Sequence, residues 1–213
     1  MNATTCASPG SRAEAQRDRI LCAALQCFID DGFHGASMAR IAETAQMSAG
    51  LMYRYFENKN AIVLGIIRRQ LEISRANVRQ LHSSSDVATA LLAAFERWCE
   101  GDSTSMNPAL FLEISVEATR NPPVAAALHD FDVSIRAELQ AWLHRDRAAG
   151  GAGLPTALAA ERALALQCFI DGLAMRSARE PGLDRIQLRA AVQDFVDKAI
   201  RPADIAAAQQ KGA

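Results

Sequence analysis

Within seven residues the chain sets out two phenol hydroxyls, a guanidinium and an ammonium: Tyr53, Arg54, Tyr55 and Lys59. Such groups hold phosphate oxygens, and a guanidinium also pairs with guanine. Ahead of them run Ser48, Ala49, Gly50 and Leu51. Small side chains at a helix start let its backbone N–H groups approach a phosphate closely. Ser37 supplies a further hydroxyl at the head of the preceding helix. The chemistry on offer is nucleic-acid binding. Covalent chemistry finds less support. Glu113 and Glu117 stand one helical turn apart, as a carboxylate pair would, but no histidine joins them at metal-binding spacing. His34, His82, His129 and His144 are scattered. No serine occupies a nucleophile elbow. Gly150-Gly151-Ala152-Gly153 follows no strand, so it reads as a flexible connector and not as a phosphate cradle. No metal, cofactor or catalytic residue is expected, and the chain does not read as an enzyme.

These groups need elements to position them. Ser37 can cap a helix whose apolar residues Met38, Ile41, Ala42 and Ala45 recur at helical spacing. Ala45, Gln46 and Met47 make a turn. Ser48 can cap a second helix, Ala49 to Phe56. Its inner face carries Met52 and Phe56; its outer face carries Ser48, Ala49, Leu51, Tyr53, Arg54 and Tyr55. Two short helices across such a turn form a helix-turn-helix, whose second helix can enter the major groove of DNA. The same spacing fits an ordinary helical hairpin with a solvated face, in which Tyr53 and Tyr55 pack.

The stretch from Arg19 to about Ile67 resembles the TetR family of bacterial transcriptional regulators. It carries Ile20-Leu21, Ala24, Phe28, Gly32-Phe33, Ser37, Ile41-Ala42, Ala45, Met47-Ser48, Gly50, Tyr53, Tyr55-Phe56 and Lys59 in order and without gaps. Gln46 stands where the family has a turn glycine, so this turn must be built with a side chain. Met47 and Met52 replace the usual Val and Leu, a tolerable apolar exchange. The resemblance implies a three-helix DNA-binding domain and a larger helical body. It implies a homodimer on a pseudo-palindromic, double-stranded operator, usually repressing, and released by a small-molecule effector. An effector cavity among the middle helices is implied too. Its candidate residues are Trp98, Phe111, Glu113, Phe131, Trp142, Phe169 and Met175, which suit an apolar or amphipathic ligand. The last two long helices would pair with their symmetry mates, with Leu173 and Val192 in that interface. The alternative is a small-molecule-binding helical protein whose DNA-binding head does not function.

The rest of the chain fits an all-α protein. It has 213 residues, half of them hydrophobic but only 6% aromatic, which suits helices with a sizeable core. Ser11 and Glu14 fit a capping box for the first helix, and Gly32 ends it as a left-handed cap. Asn58 opens a fourth helix that runs to about Leu81, with arginines on a solvated face. Asp86, Pro108, Pro122, Pro155 and Asp184 start five more, about nine in total. The expected organisation is an arm over 1–10, a DNA-binding domain over 11–57, a ligand-binding and dimerisation domain over 58–202, and a tail over 203–213. Net charge is −1, and cations and carboxylates balance within the first sixty residues. DNA binding then needs Arg40, Arg54, Lys59 and the Arg12–Arg19 cluster gathered on one side. An odd set of five cysteines without a C-x-x-C pair fits a reduced compartment. No apolar run reaches membrane length, and Met1 to Ser11 is no signal peptide, so no membrane partner and a cytoplasmic location are expected.

Overall fold

The computed structural model describes residues 12–83, 87–101 and 107–200. Its helices are α1 (Arg12–Gly35), α2 (Met38–Thr44), α3 (Ala49–Tyr53), α4 (Lys59–Ser83) and α5 (Val87–Glu100). They continue with α6 (Pro108–Ala118), α7 (Pro122–His144), α8 (Thr156–Arg179) and α9 (Arg185–Ile200), and a short 3-10 turn spans Arg147–Ala149. No strand occurs among the described residues. The caps expected from Ser11 and Asp86, the arm over 1–10 and the tail over 203–213 lie outside them.

Two compact units form: residues 1–73 with 102–132, and residues 74–101 with 133–213. The division departs from a boundary at 57/58, because α6 and the first half of α7 pack in the same unit as the head. In that first unit Ile20, Ala24, Cys27 and Phe28 of α1 are buried with Ile41 and Ala42 of α2, Met52 of α3, Phe56, and Ile62, Val63 and Ile66 of α4. Gly65 lets α4 come close to α1: a Cβ there would sit 3.0 Å from Leu21 and 3.1 Å from the Phe56 ring.

Gly32 interrupts α1, but not as a left-handed cap. Its φ of 70° and ψ of 167° lie in a region essentially reserved for glycine. The chain turns sharply there and brings the Phe33 ring to 5.4 Å from that of Phe28. The turn between α2 and α3 is closed by Ala45 N–H to Ile41 O at 2.8 Å and Met47 N–H to Ala42 O at 3.0 Å. Gln46 takes φ of +52°, the glycine-like conformation, with a side chain in place. Arg19 holds it, donating from Nη2 to Gln46 O at 3.0 Å. As regular helix α3 is shorter than expected, ending at Tyr53. Tyr55 and Phe56 N–H groups still reach Met52 O at 2.9 and 3.0 Å, so the coil extends to the buried Phe56 ring.

In the second unit Leu91 and Phe95 of α5, Leu139 and Leu143 of α7, Ala159, Ala163 and Leu166 of α8, and Val192 and Val196 of α9 are buried. Arg185 ties α9 to α5, 2.7 Å from Glu96 and over the Phe95 ring at 5.0 Å. The glycine-rich segment after α7 is a folded loop, not a flexible connector. Gly150 O accepts from the Trp142 indole at 3.1 Å, Ala152 O from Arg147 at 3.1 Å, and Leu154 is buried. A Cβ on Gly151 would lie 2.0 Å from Arg145 O, so no other residue fits that position. The arginines of α4 are not simply a solvated face: Arg69 lies 3.9 Å from Asp18 in the first unit, and Arg75 bonds Ser134 in the second.

Leu173 and Val192 are 6% and 0% exposed within the single chain, so both are core residues. The outward ridge of α8 is instead Leu164, Cys168, Gly172 and Met175, at spacings of four, four and three. Val192→Asp should therefore lower unfolding stability by about 3–5 kcal/mol, the effect of an unpaired buried charge, and urea denaturation reads it directly. Gln46→Gly should raise stability by roughly 0.5–1 kcal/mol, because relief of left-handed strain outweighs the added freedom of the unfolded chain. A higher urea midpoint with unchanged slope would show it.

Candidate nucleic-acid interface

The residues expected to contact nucleic acid lie on α3, at the two helix caps and in the segment that follows α3. Ser37 Oγ accepts the Arg40 N–H at 3.1 Å, and Ser48 Oγ accepts the Leu51 N–H at 3.2 Å. Each serine thus caps its helix as an acceptor and keeps its own O–H to donate outward. Ala49 and Gly50 are exposed, and a Cβ on Gly50 would meet nothing within 4 Å. Leu51 is half-buried over the buried Met52. Tyr53 is 53% exposed, Arg54 is exposed and Tyr55 is half-buried.

The cations do not share one task. Arg40 lies 3.2 Å from Glu43 and 3.8 Å from Asp31, and its pKa is raised chiefly by the Glu43 hydrogen bond. Arg17 covers the Phe56 ring at 5.3 Å, and Arg19 holds the Gln46 carbonyl. Lys59 points inward. Its Nζ donates to Phe33 O at 2.6 Å and Ala36 O at 3.1 Å and lies 4.3 Å from the centre of the Phe33 ring. Burial pushes the Lys59 pKa down, while the charge of Glu117 pulls it back up. Lys59 therefore builds the head, and its free N–H is all it has for a phosphate. The Arg54 backbone N–H bonds Leu51 O at 3.2 Å, while its guanidinium has no ion-pair or hydrogen-bond partner among the described residues. Tyr53, Arg54 and Tyr55 also border an open cleft of about 610 Å³ along α1 and α4. Four arginines there face four carboxylates, Glu14, Asp18, Glu57 and Glu72, so the cleft has no net pull on an anion.

The candidate effector residues separate. Phe111 and Phe131 meet at a cavity of about 10 Å³, shared with Ile67, Gln70, Asn107, Leu110, Ile114 and Leu128. That volume is about one water. Glu113 is not a cavity residue: its Oε2 accepts the Phe33 N–H at 3.1 Å. Trp142 is 3% exposed and spends its indole N–H on Gly150 O. Phe169 stacks on Phe195 with ring centres 3.9 Å apart, and Met175 is 39% exposed. The Trp98 indole nitrogen is buried without a hydrogen-bond partner. Sequence reasoning missed Gln70, which is 8% exposed with Oε1 unpartnered. A lone glutamine in the apolar rhythm of α4, between Ile67 and Leu71, was the signal available.

Comparison with known proteins agrees with this geometry. Residues 20–66 match the profile described as bacterial regulatory proteins, tetR family. Residues 85–201, more than half the chain, match that of the BetI-type transcriptional repressor, C-terminal. The HTH-type transcriptional regulator UidR of Escherichia coli is 31% identical over 129 residues, covering 59% of this chain and 63% of UidR. The chain thus spans somewhat under two thirds of that curated relative. The HTH-type transcriptional regulator BetI of Burkholderia thailandensis is 25% identical over 193 residues, 89% of this chain and 95% of BetI. Among solved structures, Salmonella enterica GusR superposes with a TM-score of 0.74 at 25% identity, over 91% of this chain and all of GusR. With the head and the body both matched, the chain belongs to the TetR family of bacterial transcriptional regulators and is not an enzyme.

Proposed function

We propose that the protein represses transcription as a homodimer on a pseudo-palindromic operator, and that a small apolar or amphipathic molecule releases it. The observation that carries this reading is the outward side of α2 and α3, where Tyr53 and Arg54 stand exposed beside two capping serines whose O–H groups are free to donate. Ser37, Ser48, Tyr53 and Tyr55 hold phosphates, and Arg54 pairs with a phosphate or with guanine. Ala49, Gly50 and Leu51 let the start of α3 approach the groove. The turn through Gln46 keeps its closing hydrogen bonds, which favours a working head over a non-functional one. Two heads must reach successive major grooves about 34–36 Å apart, so the active species is a dimer. The ridge of Leu164, Cys168, Gly172 and Met175 on α8, with Ile186 of α9 at 83% exposed, supports self-association through these two helices. No described helix is long and apolar enough to cross a membrane, and a DNA-binding regulator belongs in the cytoplasm with its operator.

Labelled DNA from upstream of the gene, titrated at several salt concentrations with non-specific competitor, tests this reading. Protection of one two-fold symmetric site, weakening with salt, is the expected result. Binding without sequence preference would overturn it. Arg54→Ala should reduce operator affinity by about 1–3 kcal/mol if it reads guanine, or flatten the salt slope by about one unit if it holds a phosphate. Gly172→Arg should give folded monomers in sedimentation at micromolar concentration, since Gly172 faces open space in the single chain. A dimer surviving that change would place the interface elsewhere.

A further inference from the structure

The bend between α1 and α2 is gripped from α6. After the break at Gly32 the chain winds one new turn, closed by Ala36 N–H to Gly32 O at 3.2 Å. The Phe33 N–H opens that turn and has no helical acceptor. Glu113 supplies one, with Oε2 at 3.1 Å. One turn further along α6, Glu117 is 5% exposed. Its Oε1 accepts from Asn121 at 2.9 Å, and Asn121 also reaches Asn60 at the start of α4 at 3.0 Å. Its Oε2 has no hydrogen bond, only the longer approaches of His34 at 3.7 Å and Arg120 at 3.6 Å. The negative charge of Glu117 also favours the Lys59 ammonium, which spans the Phe33 and Ala36 carbonyls. Ala36 precedes Ser37, the cap that starts α2.

Another side of α6 has a different neighbour. Leu110, Phe111 and Ile114 line the small cavity, opposite Gln70 and its unpartnered buried oxygen. One helix of 11 residues therefore touches both the cavity and the bend that aims the recognition helix. We propose that Glu113 and Glu117 are positioning residues for DNA binding, fixing the α1–α2 bend that sets the aim of α3. This rests on the operator-binding reading above. A carboxylate 3.1 Å from its donor loses that bond within a displacement of about half an ångström, so the bend is sensitive to where α6 places Glu113.

The test uses the full chain, its operator and two readouts: operator affinity, and hydrogen exchange at the Phe33 amide. Glu113→Ala should speed Phe33 exchange at least tenfold and weaken operator binding about tenfold, within the range of coupled sites, while the dimer and its cooperative unfolding persist. Glu113→Gln keeps an acceptor oxygen and should restore both to within about twofold of the natural chain. Should Glu113→Ala fail to fold, Glu117→Gln removes the charge beside Lys59 at constant volume and should weaken operator binding about fivefold. Operator affinity unchanged by these variants, with the Phe33 amide exposed, would overturn the positioning role. A Phe33 amide equally protected in Glu113→Ala would overturn the contact itself. Failure of the natural chain to select any operator would overturn the regulator reading instead, and the exchange readout, which needs no DNA, keeps the two failures apart.

Discussion

A half-buried ammonium holds the head together. Lys59 sits at the first position of α4 and ties the carbonyls of Phe33 and Ala36, the two ends of the bend between α1 and α2. Burial disfavours its charge. Two charge-assisted hydrogen bonds, an aromatic face and a buried carboxylate nearby offset part of that penalty. The reading elements hang from this bridge. Ala36 hands the chain to Ser37, Ser37 caps α2, and α2 leads through the Gln46 turn to Ser48 and α3. Neither helix has much burial of its own to rely on, since α2 is seven residues long and α3 five. Isolated helices of that length do not persist in water. Caps, the Lys59 bridge and the apolar floor of Ile20, Phe28, Met52 and Ile62 hold them in place.

The charge balance of the first sixty residues takes on meaning from this construction. Arg17, Arg19, Arg40 and Lys59 are engaged with a ring, a backbone carbonyl, two carboxylates and two carbonyls respectively. Each fastens one part of the head to another, although Arg17, Arg19 and Arg40 stand exposed and only Lys59 is half-buried. On the proposed contact side of α2 and α3, the described groups not already engaged are the serine and tyrosine hydroxyls and the Arg54 guanidinium, a set suited to directed hydrogen bonds. Arg19 also accounts for the departure at Gln46. A left-handed residue with a side chain is strained, and a guanidinium fixed on its carbonyl is one way the surrounding structure retains it.

Much of the fold was legible because its signals are local. Ser37, Ser48, Asn58 and Asp184 act as caps through single side chains placed a fixed number of residues from their donors, and Asn107, which the sequence reading passed over for Pro108, does the same. Asp184 even shows it electrically, its pKa lowered by the N–H groups of Gln187 and Ile186. The buried stripe of α1 and the floor under α3 follow from period 3.6. What was not legible depends on partners distant in sequence. Lys59 reads as a phosphate ligand from its place after a recognition helix; only the folded bend shows two carbonyls waiting 23 and 26 residues away. Glu113 reads as a ligand contact or a surface carboxylate until an amide 80 residues earlier is brought to it. The loop around Gly151 reads as flexible from composition, yet its glycine is demanded by a carbonyl against which any Cβ would collide.

Helices α8 and α9 show a further limit of periodicity. A helix apolar around more than one face announces that it is covered on several sides, but not which side meets its own chain. Leu173 and Leu164 are equally plausible interface residues by sequence. The fold separates them: Leu173 faces inward at 6% exposed, while Leu164 stands at 47%. Gly172, on the same outward ridge as Leu164, has open space where a side chain would go. A glycine within a helix is destabilising by roughly 0.5–1 kcal/mol relative to alanine, so an exposed one in the interior of α8 serves the single chain poorly. Close approach by a second helix is what such a position allows. On the dimer proposed above, such a ridge is where a second copy would pack, while the aim of each five-residue α3 is set within its own unit by a bend whose fasteners come from α4 and α6.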